Sequence, residues 1–181
     1  VQPGMYVTTE TFRVHLAYLN AHFDIVPLDE IIRRIGKGQT AGRCISITFD
    51  DGWIDNYSNA FPVLAEYRTP ATIFLATAFI GTSRRFWPDE VAEYLKKLGS
   101  PDRIPASPLV HRLFKTIDIE EPQYDDLIDH AIVALKTWSP GDRDELVAQF
   151  RESDLAGDAE RQLMDWNEAH QMQASGYVSF G

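Results

Sequence analysis

The chain has 181 residues, 44% of them hydrophobic and 24% charged, with a formal net charge of −10 and an isoelectric point near 4.9. That mixture excludes a fully disordered chain, and a chain of this length buries a core without disulfides or a structural metal. No run approaches the ~20 apolar residues that span a bilayer, the single cysteine Cys44 excludes a disulfide framework, and the acidic balance makes nucleic acid an unfavourable partner.

In chain order, Thr8 or Thr9 caps a first helix that carries Phe12, Leu16 and Leu19 on one face. Residues 23–26 read as a short strand. Leu28, Ile31, Ile32 and Ile35 follow helical spacing up to a stop at Gly36. Cys44 to Phe49 reads as one strand broken by Gly52, Asn56 to Tyr67 as a helix whose starting residue Pro62 leaves open, and Ala71 to Ala76 as another strand. Strand and helix thus alternate over residues 23–80, the signature of parallel βαβ units.

Beyond Gly81 the pattern becomes helical and acidic. Residues 102–165 hold 15 Asp and Glu against 7 Lys and Arg. A helix opens near Pro88, Pro101, Pro105 and Pro108 punctuate a loop, Tyr124 to Leu135 form an amphipathic helix, and Leu146 and Phe150 mark a shorter one. Asp165 and Glu168 form a capping-box pair for a helix that Gly176 ends, and residues 177–180 resume as a strand. The expected organisation is residues 1–81 as the first part of the main fold, 82–163 as an acidic helical insertion, and 164–181 as its resumption. The alternating chain end reads as the cut end of a fragment.

Two adjacent carboxylates, Asp50 and Asp51, stand at the end of the strongest strand. Paired acids repel each other, and a core rejects them unless they meet a cation or a ligand. Strand alternation puts Ile45, Ile47 and Phe49 on one face and Ser46, Thr48 and Asp50 on the other. Gly52 permits a sharp turn that lets both acids reach one ligand. In α/β barrels such strand ends carry the active site; an exposed Asp-Asp-Gly turn is the plainer alternative. A dehalogenase-type phosphatase is disfavoured, because Gly52 stands where its second aspartate belongs. Trp53 follows the acids and is a candidate to stack on a sugar ring. Asp55-Asn56 reads as an Asx turn, and Trp87, Trp138 and Trp166 as packing residues.

The stretch Ile45-Ser46-Ile47-Thr48-Phe49-Asp50-Asp51-Gly52-Trp53, then Asp55-Asn56-Tyr57, Pro62-Val63-Leu64 and Pro70-Ala71-Thr72-Ile73-Phe74-Leu75, resembles the polysaccharide deacetylase family, the NodB-homology group of carbohydrate esterase family 4. Thr9-Glu10-Thr11-Phe12, Val26-Pro27-Leu28, Met164-Asp165-Trp166-Asn167-Glu168 and Ala174-Ser175-Gly176-Tyr177 are similar to flanking family segments. The resemblance implies an α/β fold, here a partial, distorted (β/α) barrel, that hydrolyses acetyl groups on a polysaccharide or oligosaccharide. It implies Asp50 as catalytic base and Asp51 as ligand to a divalent metal, zinc foremost, with cobalt or iron as alternatives.

It also implies two histidines in an H-x-x-x-H motif. The five histidines here, His15, His22, His111, His130 and His170, offer no pair at that spacing. The expectation is therefore an N-terminal portion of a deacetylase, inactive alone, holding its metal weakly or not at all, and self-associating through open sheet edges. A non-catalytic sugar-binding or scaffold module on the same fold is the alternative.

Overall fold

The computed structural model describes residues 7–98, 107–117, 124–153 and 160–181. The chain divides into two compact units, one built from the residues up to Arg84 together with Glu160–Gly181, the other from Arg85–Ala159.

The first unit opens with α1 (Thr9–His22), capped by the Thr8 side chain, which accepts from the Thr11 backbone N–H; Leu16 on its inner face is fully buried. Short β1 (Asp24–Ile25) leads to α2 (Leu28–Gly36), whose bounds match the apolar spacing of its isoleucines. The expected strand from Cys44 to Phe49 is instead two pieces, β2 (Cys44–Ile45) and β3 (Ile47–Phe49), separated at Ser46. β2 pairs in parallel with β1, whereas β3 joins a different sheet. One segment thus serves two sheets, which requires the chain to bend at Ser46.

A π-helical turn over Asn56–Ala60 precedes α3 (Phe61–Tyr67). Pro62 accounts for that irregular start: it has no backbone N–H, and the wide turn lets the Phe61 N–H reach the Asn56 carbonyl. β4 (Ala71–Ile73) is shorter than the expected six residues, because Phe74 N–H still bonds to Phe49 but the chain then turns into a loop. β5 (Val178–Phe180) completes a parallel sheet ordered β3-β4-β5, with Thr48, Thr72 and Ser179 in one register row. All three β4 residues are buried. Strands alternate with helices, as the sequence implies, and among the described residues they do not close into a barrel.

The second unit is helical among its described residues: α4 (Trp87–Leu98), α5 (Pro108–Thr116), α6 (Tyr124–Lys136) and α7 (Pro140–Arg151). Val91, Leu95, Leu113, Leu135 and Leu146 are fully buried in its core, each worth about 1.5–3 kcal/mol of transfer free energy. Tyr94 stacks on Phe150 with ring centroids 3.7 Å apart. Pro108 does not punctuate a loop. It is the first residue of α5, capped by Ser107, since the first helical position needs no proline N–H. Pro101 and Pro105 lie outside the described residues.

Back in the first unit, α8 (Trp166–Ala174) carries the expected capping box. The Asp165 side chain accepts from the Glu168 N–H at 2.9 Å and the Glu168 side chain accepts from the Asp165 N–H at 2.7 Å. Gly176 then adopts φ +78°, which favours glycine.

Candidate active site

The site grows from the end of β3. Phe49 is the last strand residue, and Asp50 follows it on the exposed side of the alternation. Asp51 sits in the left-handed region at φ +66° and Gly52 at φ +82°. Such a conformation costs an L-residue about 1 kcal/mol, and strain of this kind concentrates at functional turns. Gly52 is required twice over: a Cβ there would lie 2.6 Å from Leu75 Cδ2 and 3.0 Å from Ile80 Cδ1.

Backbone bonds hold this turn from both sides. Ala76 N–H donates to the Asp51 carbonyl at 3.1 Å, and Met164 N–H donates to the Gly52 carbonyl at 2.8 Å. Ile54 N–H donates to Gln162, and Trp53 and Leu163 form an antiparallel bridge. The return segment before α8 is thereby laced to the acid-bearing turn. No sequence pattern announced this pairing across 110 residues.

Asp50, Asp51 and Trp53 come together in the wall of one cleft of about 420 Å³. Within that wall Asp50 is exposed and Asp51 half-buried. Among the described residues no hydrogen bond or ion pair engages either carboxylate. Asp55 and Asn56 also line the cleft. They do not form the Asx turn expected of them: the Asn56 Nδ2 donates to Asp55 Oδ1 at 3.1 Å. Asn56 is buried, and its Oδ1 has no partner among the described residues. Aromatic surface enters from α1, where Phe12 meets Phe49 edge to face at 5.9 Å. Sequence reasoning did not assign Phe12 or Asn56 to the site. Asn56 was visible inside Asp55-Asn56-Tyr57, but nothing local marked its burial.

The donor set limits what the cleft can hold. A catalytic divalent ion takes three protein ligands and keeps a position open. Among the described residues no group of three or more His, Cys, Asp or Glu side chains converges. These residues alone do not make a zinc site.

Residues 37–99 match the family model described as polysaccharide deacetylase. A 78-residue stretch is 41% identical to the poly-beta-1,6-N-acetyl-D-glucosamine N-deacetylase of Staphylococcus epidermidis, covering 42% of this chain and 27% of that protein. Over residues 37–99 the chain is similar to the polysaccharide deacetylases. An 89-residue stretch is also 32% identical to the YxkH protein of Bacillus subtilis, covering 48% of this chain and 32% of that one. A solved structure of a de-N-acetylase from Aggregatibacter actinomycetemcomitans aligns with all of this chain and 46% of its own, at 14% identity and a TM-score of 0.46. The matched stretches span about a third or less of the curated relatives' length. The family resemblance carried by Ile45 to Leu75 is thus borne out by the matches to this deacetylase relative.

The remaining candidates fall outside the cleft. Trp138 is buried and Trp87 half-buried under the Arg143 guanidinium. Trp166, expected to pack, is instead 47% exposed, because the capping box places it in the outward first turn of α8. Cys44 is half-buried, with the Arg34 guanidinium 2.9 Å from its sulfur.

Proposed function

We propose that these residues form part of a metal-dependent hydrolase, a partial distorted (β/α) barrel that removes N-acetyl groups from a polysaccharide or oligosaccharide. The observation that carries this reading is the meeting of Asp50 and Asp51, at the end of β3, in the wall of one cleft. Asp50, at the strand tip, is the general base: it takes a proton from the water that attacks the acetyl carbonyl. The carbon–nitrogen bond then breaks as the proton held by Asp50 passes to the departing nitrogen, so acetate leaves and the sugar keeps a free amine. Trp53 supplies apolar surface for the sugar ring.

Asp51 is assigned as one ligand of a divalent metal, zinc before cobalt or iron. Such an ion supplies Lewis-acid polarisation of the carbonyl. The imidazoles of an H-x-x-x-H pair are not among the 181 residues, so we assign them to residues outside this sequence. The 181-residue chain is accordingly inactive by itself. Its open β5 edge, paired only with β4 among the described residues, makes it self-associate.

A second reading, a sugar-binding or scaffold module without chemistry, is favoured by the missing three-ligand group among the described residues. Acetate release from β-1,6-linked N-acetylglucosamine oligomers separates the two. The substrate is a proposal that draws on the name of the Staphylococcus epidermidis relative. A protein in which an H-x-x-x-H segment follows these residues releases acetate with zinc or cobalt on the first reading, and only binds sugar on the second.

A further inference from the structure

We propose that Trp166 is a second sugar-stacking position, set apart from the Asp50–Asp51 cleft, so that the chain grips a polymer at two rings rather than one. This rests on the carbohydrate reading of the cleft and extends it to substrate length.

Topology places Trp166 at the same end of the sheet as the acids. β3, β4 and β5 run parallel, and α8 immediately precedes β5, so the start of α8 lies at the strand-tip end. Three backbone bonds fix it there. Ile54 N–H reaches Gln162, Met164 N–H reaches Gly52, and Gly81 N–H reaches the Met164 carbonyl at 3.0 Å. Residues 162–164 therefore lie between the acid-bearing turn and the loop after β4.

The spacing suits an oligosaccharide. Leu163 is bridged to Trp53, and bridged neighbours lie about 5 Å apart. Trp166 is three residues farther on, which adds at most about 10 Å. The two indoles thus project from backbone points within about 15 Å, on a support that hydrogen bonds hold rigid.

The surroundings keep this indole available. Trp166 is 47% exposed, although its neighbours Met164 and Ala169 are buried. Gly81, with φ +72°, faces it: a Cβ there would come within 3.7 Å of Trp166 Cδ1. The Arg161 side chain, which reaches Glu168 at 2.6 and 3.0 Å, braces the helix start from the other side of the capping box. An indole face offers the C–H surface of a pyranose ring an apolar partner, and its N–H can meet a hydroxyl.

The test titrates the 181-residue chain with N-acetylglucosamine and with its β-1,6-linked pentamer, by calorimetry and by the indole N–H resonances. The wild type binds the pentamer at least about tenfold more tightly than the monosaccharide, the scale of one aromatic contact. Trp166→Ala removes that gain while leaving monosaccharide affinity unchanged, and Trp166→Phe keeps most of it. If the wild type favours the pentamer and Trp166→Ala favours it equally, the second position is wrong and the carbohydrate reading stands. If the wild type binds neither ligand, the carbohydrate reading fails and takes this inference with it.

Discussion

Met164 donates its backbone N–H to the carbonyl of Gly52 at 2.8 Å. The turn that presents the acid pair is thus built from two segments more than a hundred residues apart, and its geometry depends on both. Gly52→Ala attacks that junction directly, with a left-handed backbone angle that strains a Cβ-bearing residue and a Cβ 2.6 Å from Leu75 Cδ2. It is expected to destabilise the first unit by about 2–4 kcal/mol. Urea unfolding followed by near-ultraviolet circular dichroism measures this, and an unchanged midpoint would contradict the packing described for the turn.

Acid weakens the start of α8. The Arg161 guanidinium bonds to Glu168 and holds its carboxyl below the usual 4.5, assisted by the Asp165 backbone N–H and opposed by burial. A carboxyl depressed in the folded state adds stability above 4.5, and that increment disappears as pH falls through the folded value. Wild-type stability should therefore drop between neutral pH and pH 3 more steeply than that of Glu168→Gln, which keeps the capping hydrogen bond without the charge. Denaturant midpoints across that range provide the comparison.

In the helical unit, Tyr94 is 3% exposed and its hydroxyl has no partner among the described residues. Burial also raises its phenol above 10.0. Removing an unsatisfied hydroxyl relieves desolvation while leaving the ring stacked on Phe150. Tyr94→Phe should match or exceed the wild type, by up to about 1 kcal/mol. A clear loss of thermal stability would mean that the hydroxyl has a partner.

The proposed self-association through the β5 edge is open to direct measurement. Multi-angle light scattering should show a mass that rises with concentration. Replacing Ser179, exposed on β5, by lysine should suppress this by charge repulsion between edges while keeping the backbone bonds to β4. A monomer at every concentration would show the edge to be harmless.

Local signals were the legible ones. Asp165 and Glu168 announced their helix because a capping box is a four-residue interaction, and α2 was readable from the spacing of its isoleucines. The acid pair was legible as an unusual deposit of charge at a strand end. Ser46 gave no warning of the bend there, because alternation of apolar and polar residues is the same in one straight strand as in two short ones. Pro108 was misread because a proline opening a helix and a proline in a loop differ only by the cap before it, here Ser107. The Trp53–Leu163 bridge, the burial of Asn56 and the exposure of Trp166 are products of distant pairing, which no local pattern encodes.

The most direct test of the central claim measures acetate released from β-1,6-linked N-acetylglucosamine oligomers by a protein joining these residues to an H-x-x-x-H segment, with zinc or cobalt, as wild type and as Asp50→Asn and Asp51→Asn. Asp50→Asn should lower the rate about 10²–10⁴-fold with metal affinity unchanged, and Asp51→Asn should lower both. Undiminished acetate release from the Asp50→Asn protein would contradict the account.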